Sequence, residues 1–271
     1  MRILLSLPPS PRPRRLLTRA LGTLLFVLNT SYADNVVTIR ADQWFPMNGD
    51  PKADKPGYMI ELAQAILTPH GYTVDYQLLP WKRSIRHVIQ GKADCVVGAY
   101  RDENRQLIFP EEPWGIDRID FYVTKDSGWR FTGQESLQGI TIGIIGGYSY
   151  GETLNQLIKD PRNKDQFQIV STGNALELNI RNLERGRITT TVESVYVMDA
   201  KLRELGLQNK IISAGTLAPG EPMYIACSPE RATTQQYLRW FDEGTRRLRR
   251  SGELQTLMSR YGLSDWKQTS D

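Results

Sequence analysis

The tightest constraint in this chain is a helix that stops on a glycine and passes at once into a buried strand. It sits at Pro80–Arg105, PWKRSIRHVIQGKADCVVGAYRDENR. Trp81, Lys82 and Arg83 open the helix, Gly91 ends it, and Cys95–Ala99 is an apolar run that leads into a polar loop. Helix, glycine, Lys-Ala-Asp and apolar run make half of a β-α-β unit. In open α/β sheets, ligands collect outside the carboxyl ends of the strands. That rule puts Trp81, Tyr100, Arg101 and Arg105 on one rim.

The same grammar runs along the rest of the chain. Val36–Ile39 reads as a first strand. It is followed by the loop Ala41–Gly49, whose Trp44 and Phe45 are either core cover or ligand walls. Gly57–Leu67 reads as an amphipathic helix stopped by Pro69 and Gly71, then Thr73–Leu79 and Phe121–Thr124 as strands. The pattern restarts with strand Ile140–Ile145, the turn Gly146–Ser149 and helix Tyr150–Lys159. Strand Phe167–Val170, helix Ala175–Glu184, strand Ile188–Val192 and helix Ser194–Leu205 follow, then strand Met223–Cys227 and helices Thr234–Arg250 and Glu253–Tyr261. The two halves end alike, Gly91-Lys-Ala-Asp-Cys-Val-Val97 beside Gly186-Arg-Ile-Thr-Thr-Thr-Val192. This points to two similar α/β lobes, although shared helix-stop grammar accounts for the match equally well.

Charge narrows the partners. The net charge of +4 comes from the first 33 residues, which hold Arg2, Arg12, Arg14, Arg15 and Arg19 and no acid. Taking those five from 34 leaves 29 bases against 30 acids, so a nucleic-acid partner loses its support. The leader has the parts of a secretory signal: basic Arg12–Arg19, apolar Ala20–Leu28, and small residues in Ser31-Tyr32-Ala33. Cleavage is expected after Ala33, giving an exported, periplasmic chain that begins at Asp34; the competing reading is a retained membrane anchor. Cys95 and Cys227 cannot form a zinc site alone. They are two buried thiols or, in an oxidising compartment, a disulfide.

Gly147-Tyr148-Ser149-Tyr150-Gly151 matches G-x-S-x-G, but a hydrolase of that fold needs a histidine after the serine. His70 and His87 both precede it. The turn has another use, since free N–H groups at a helix N-terminus bind anions. Dinucleotide and phosphate-loop motifs are missing, and two His and two Cys support no metal centre, so no cofactor, metal or catalytic residue is expected. Glu61, Asp94 and Glu193 have no spacing that marks them for acid–base work.

In order along the chain come the W-x-P loop at Trp44–Pro46, G-x-x-x-E-L at Gly57–Leu62, the G-K-x-D strand, and the turn Ile142–Gly147. The G-R-I strand and an S-G-x-L-x-x-L…Y-G tail at Ser251–Gly262 complete the series. In this order the chain resembles the bacterial extracellular solute-binding proteins of family 3, the polar amino-acid receptors of ABC importers, from about Val36 to Trp266. The resemblance implies an α/β, two-lobed periplasmic-binding-protein fold of type II topology, with two hinge crossings and a ligand cleft between the lobes. Lobe one would be residues 34–122 plus 223–271, and lobe two residues 123–222, with the crossings near Tyr122–Lys125 and Pro219–Tyr224. It implies a monomer that binds a small polar solute, an amino acid or related carboxylate, and docks on an inner-membrane ABC permease.

Trp44 and Tyr58 are candidate ligand contacts, and the resemblance places others at Trp81, Gly98, Ala99, Tyr100 and Arg101, with Arg105 near the carboxylate-binding arginine on a shortened loop. Gly147, Tyr148 and Ser149 fall on the anion turn of lobe two. Ser194 stands where the family has an amine-binding aspartate, and Thr189 replaces another. Glu193 is a further candidate, although an extended segment would turn it away from Ser194. The topology would also bring Cys227 near Cys95, favouring a disulfide. Rival expectations are a dehydratase-like enzyme on this scaffold and a ligand sensor that docks on a membrane receptor.

Overall fold

Two matching helix stops organise the fold. The computed structural model describes residues 35–102 and 104–267, and of 218 and 219 the backbone only. The expected leader, its cleavage site and Asp34 lie outside the described residues. Helix α2 (Trp81–Ile89) ends with Gly91 at φ 66°, where Gly91 N–H donates to Val88 O and Lys92 N–H to His87 O. Helix α4 (Ala175–Glu184) ends the same way, with Gly186 at φ 66°, Gly186 N–H to Leu183 O and Arg187 N–H to Asn182 O. Both are Schellman closures, in which a left-handed glycine lets the chain double back and satisfy the last carbonyls. Each returns the chain to a buried strand, β3 (Cys95–Tyr100) after α2 and β7 (Thr190–Ser194) after α4.

The other strands are β1 (Val36–Ala41), β2 (Thr73–Leu78), β4 (Gly115–Thr124), β5 (Ile142–Ile145), β6 (Phe167–Val170) and β8 (Ile211–Cys227). They form one eight-stranded sheet in the order β2-β1-β3-β8-β4-β7-β5-β6. Pairing is parallel within β2-β1-β3 and within β7-β5-β6, and antiparallel where β8 meets β3 and β4 and where β4 meets β7. Two parallel blocks are therefore joined by a pair of long antiparallel strands. Helices α1 (Tyr58–Leu67), α6 (Thr234–Ser251) and α7 (Glu253–Ser259) pack with β1, β3 and the end of β8 into one core; a smaller cluster under α2 covers the opposite face. The second block has α3 (Gly151–Lys159) over one face, and α4 and α5 (Val195–Leu205) over the other. Each block is thus a lobe with helices on both sides of its strands.

Asp94, last of the Gly-Lys-Ala-Asp run, locks β3 to β1. Its carboxylate accepts from Thr38 N–H at 2.8 Å and from Thr38 Oγ1 at 2.5 Å. Its role is structural.

The structure differs from expectation at the crossings. β4 begins at Gly115 and not at Phe121, and β8 runs for 17 residues and not only over Met223–Cys227. Ser-Ala-Gly-Thr-Leu-Ala-Pro-Gly-Glu-Pro reads locally as turn, yet it pairs with β4 from Thr124↔Ile211 to Gly115↔Met223. Strand preference is set by neighbours more than by the chain itself, and register shifts along the ladder absorb the glycines and prolines.

Strand β8 also lies beside β3, and Cys95 and Cys227 are paired residues joined by a disulfide. Both are fully buried, and the bridge closes a sequence separation of 132 residues. Cross-linking so long a loop restricts mainly the unfolded chain. The double variant Cys95→Ala/Cys227→Ala is expected to lose about 2–5 kcal/mol in urea unfolding while keeping its fold. An unchanged midpoint would show that the bridge adds nothing to stability.

Candidate functional site

The carboxyl ends of both parallel blocks face one another, and between them lies a cavity of about 40 Å³. Lobe one contributes Asp42 and Trp44 from the loop after β1, Trp81 at the start of α2, and Val97, Gly98, Tyr100 and Asn104 from β3 and beyond. Lobe two contributes Tyr148, Ser149 and Tyr150 from the turn between β5 and α3, with Glu193 and Ser194 at the end of β7. Asp117 and Ile119 rise from the crossing strand β4. Asp42, Trp44, Trp81, Tyr148 and Glu193 also border an adjoining groove of about 710 Å³.

Trp44 owes its place to a bulge. β3 shifts register between Val97 and Ala99, and Gly98 there has φ 80°. A Cβ on Gly98 would lie 3.1 Å from the Trp44 ring. Only glycine accepts both the backbone angle and the indole pressed against it.

Polar contacts tie the two sides together. Trp44 Nε1–H donates to Glu193 Oε1 at 3.1 Å, which also accepts Ser194 N–H at 2.8 Å. Tyr148 O–H donates to Asp42 Oδ2 at 2.5 Å. Asp117 accepts from Tyr100 O–H at 2.7 Å and from Ser194 O–H at 2.5 Å. The second oxygen of Glu193 is buried with no hydrogen-bond partner. Among the described residues, three carboxyls line the cavity and no Lys, Arg or His does.

Burial pushes all three carboxyls up. Glu193 rises to about 8, with the Trp44 and Ser194 donors pulling it back and the Asp117 and Asp42 charges adding to the rise. Asp117 rises to about 6 despite the Ser194 and Tyr100 hydroxyls. Asp42 rises to about 6 despite Tyr148; the residue as a whole is half-buried, but its carboxyl is enclosed. Burial and the facing acids hold the Tyr148 and Tyr100 hydroxyls neutral well above their ordinary range.

The sequence-derived candidates sort into two groups. Trp44, Trp81, Gly98, Tyr100, Tyr148, Ser149, Glu193 and Ser194 line the cavity together. Glu193 and Ser194 both reach it, contrary to the alternation expected of an extended segment. The strand ends there, Ser194 is the N-cap of α5, and the Glu193 carboxylate curls back onto the Ser194 N–H.

Tyr58, Ala99, Arg101, Arg105 and Gly147 are not in the lining. Tyr58 is fully buried in the lobe-one core and donates to Trp114 O at 2.8 Å. Ala99 is enclosed under α2. The stem of Lys82 covers Gly147. The short loop after β3 folds Arg101 over Tyr224, 4.8 Å from its ring centre, where it donates to Pro110 O at 2.6 Å. Arg105 is exposed and donates to Asp102 O.

Within the β5–α3 turn, three N–H groups already have internal acceptors: Gly146 on Val170 O, Tyr148 on Ile145 O and Tyr150 on Asn155 Oδ1. Sequence reasoning missed Asp42, Asn48, Asn104, Asp117 and Tyr150. Asp42 directly follows β1, so the rim rule reaches it. Asp117 lies on a stretch that reads as loop until β4 is known.

The raised carboxyls set a pH dependence. Each binds more protons folded than unfolded, so each makes stability fall as pH rises. The fall starts near the ordinary values of 3.8 and 4.5 and ends at about 6 for the aspartates and about 8 for Glu193. Glu193→Gln is therefore expected to gain stability over the parent as pH rises from about 6 to about 8 in urea titrations without added solute. Parallel profiles for the two proteins would show that Glu193 is not held protonated by burial.

Residues 36–264 match the profile of the bacterial extracellular solute-binding proteins, family 3. No curated protein matches the chain significantly. Among solved structures, the chain is similar to an ABC uptake transporter substrate-binding protein from Streptococcus pneumoniae with bound histidine. The TM-score there is 0.71 at 18% identity, over 85% of this chain and 94% of that one. It is also similar to a histidine kinase sensor domain related to periplasmic binding proteins, at TM-score 0.70 and 20% identity over 83% and 95%. An ancestral amino acid-binding protein, a precursor of cyclohexadienyl dehydratase, gives TM-score 0.64 at 18% identity over 84% and 95%. At these identities the structures share the fold, which is the α/β, two-lobed architecture of periplasmic binding proteins. The profile match covers most of the chain, and this protein belongs to the bacterial extracellular solute-binding proteins of family 3.

Proposed function

We propose that the chain is a periplasmic substrate-binding protein that captures a small polar solute between its lobes and delivers it to an ABC importer. The observation that carries this reading is the interlobe cavity, whose opposite walls meet through Trp44–Glu193 and Asp42–Tyr148. Groups that bond across a cleft reward closure, and excluding water strengthens each bond made to a solute inside. The hinge is the β4–β8 pair, with residues 34–122 and 223–271 as lobe one and 123–222 as lobe two. Among the described residues no helix is long and apolar enough to cross a membrane. The periplasmic location rests on the Arg-rich leader and on the family.

A second reading is an enzyme on this scaffold. Glu193, held protonated to about 8 beside the more acidic Asp42, is an acid–base pair of the kind that proton-transfer catalysis uses. Conversion of a bound solute, followed by NMR of the solute pool, separates the two readings.

A thermal-shift screen of amino acids, amines and small carboxylates is expected to yield a stabilising solute, and X-ray scattering with that solute a smaller radius of gyration. Trp81→Ala is expected to weaken binding through lost ring contact. Arg101→Ala and Arg105→Ala are expected to cost about 0–1 kcal/mol, or about fivefold at most, by calorimetry. Loss of binding in either arginine variant would restore the carboxylate clamp expected from the family.

A further inference from the structure

The cavity is rich in acceptors and poor in donors. Four of its hydroxyl and indole donors are already directed at carboxylates: Tyr100 and Ser194 at Asp117, Tyr148 at Asp42, and Trp44 at Glu193. The carboxyl oxygens leave acceptor capacity for a solute. The clearest case is the second oxygen of Glu193, whose residue is 3% exposed and lines the cavity, and which has no partner. A buried acceptor without a donor is costly, so a solute that brings a donor to it gains that cost back.

Among the described residues that line the cavity, a carboxylate in the same place meets no compensating charge. The two arginines able to receive one are committed elsewhere, Arg101 to Pro110 and the Tyr224 ring and Arg105 to the exposed loop. Three N–H groups of the turn that binds anions elsewhere are spent on Val170, Ile145 and Asn155. The more acidic groups that face the cavity, Asp42 and Asp117, repel an anion once ionised. Trp44, Trp81, Tyr100 and Tyr148 supply aromatic walls, and ring faces attract cations.

We propose that this site takes a small organic cation that has N–H donors and no carboxylate, an amine or guanidine, with Glu193 receiving its N–H and Asp42 and Asp117 supplying counter-charge. The proposal rests on the reading of the chain as a solute receptor and narrows its ligand class. A quaternary ammonium satisfies the charge and the rings but not Glu193, because it has no N–H to donate. The cationic head sits in the cavity. The remainder of the molecule extends into the adjoining groove, which shares Asp42, Trp81 and Glu193 with it.

The test pairs each amine with its carboxylated parent: agmatine with arginine, cadaverine with lysine, phenethylamine with phenylalanine. Calorimetry on the purified protein is expected to show at least one amine binding 100-fold or more tighter than its parent. Glu193→Gln is expected to weaken that amine by about 100-fold or more, since one partner of a buried charged contact is lost. At pH 7, binding is expected to release about one proton, read from the difference in heat between phosphate and Tris buffers. Asp117→Asn serves as a second variant, and circular dichroism confirms that both variants fold.

A parent amino acid that binds as tightly as its amine overturns the proposal but leaves the receptor reading standing. Binding of a neutral or anionic solute from the thermal-shift screen, with none of the six probes binding at millimolar concentration, does the same. If that screen and the six probes are all negative, the receptor reading falls along with the proposal.

Discussion

Strand β8 changes partner along its length, and the architecture depends on that change. From Ile211 to Met223 it runs antiparallel to β4, and from Met223 to Cys227 antiparallel to β3. One strand therefore belongs to the sheet of both lobes, and β4, which also pairs with β7, mirrors it. Without this shared ladder the two parallel blocks have no common edge, and the carboxyl ends of β1, β3, β5 and β7 do not converge. The disulfide at Cys95–Cys227 and the Ile108–Cys227 bridge fasten the far end of β8 to lobe one. Along the rest of the ladder, register shifts at Asp117–Ile119 and Phe121–Tyr122 interrupt regular pairing.

The same strand geometry makes the cleft acidic. Asp117 is carried into it by β4, Asp42 by the end of β1 and Glu193 by the end of β7, three elements far apart in sequence. Each carboxyl is buried, and each is met by neutral donors, not by a cation. Neutral donors reduce the desolvation cost without cancelling the charge, so all three groups stay raised. The cavity lining thus holds three buried acids and, among the described residues, no cation to balance them.

Two side chains at the ends of β7 and β3 are turned onto neighbouring groups. The Ser194 hydroxyl is directed at Asp117. The shortened loop after β3 lets Arg101 fall onto Tyr224 and Phe109, where its guanidinium serves packing.

Local chemistry carried much of the fold in the sequence. The glycines at 91 and 186 mark helix stops because only a left-handed residue closes a Schellman turn without strain. The apolar runs of β1, β3 and β5 mark buried strands, and Trp44, Trp81 and Tyr148 could be placed on the rim because strand direction follows from the β-α-β order. The long crossing strands could not be read, since a segment rich in glycine and proline becomes strand only when β4 lies beside it. Nor could the direction of Arg101, Glu193 and Asp117, because a side chain's orientation at a strand end depends on the packing of elements distant in the chain. The sequence by itself determined the alternation of helices and strands and the residues on the rim, through periodicity and turn chemistry that act over a few residues. Tertiary structure alone decided that the described lining of the cavity holds three acids and no base, because burial and charge balance are summed over neighbours that only folding brings together.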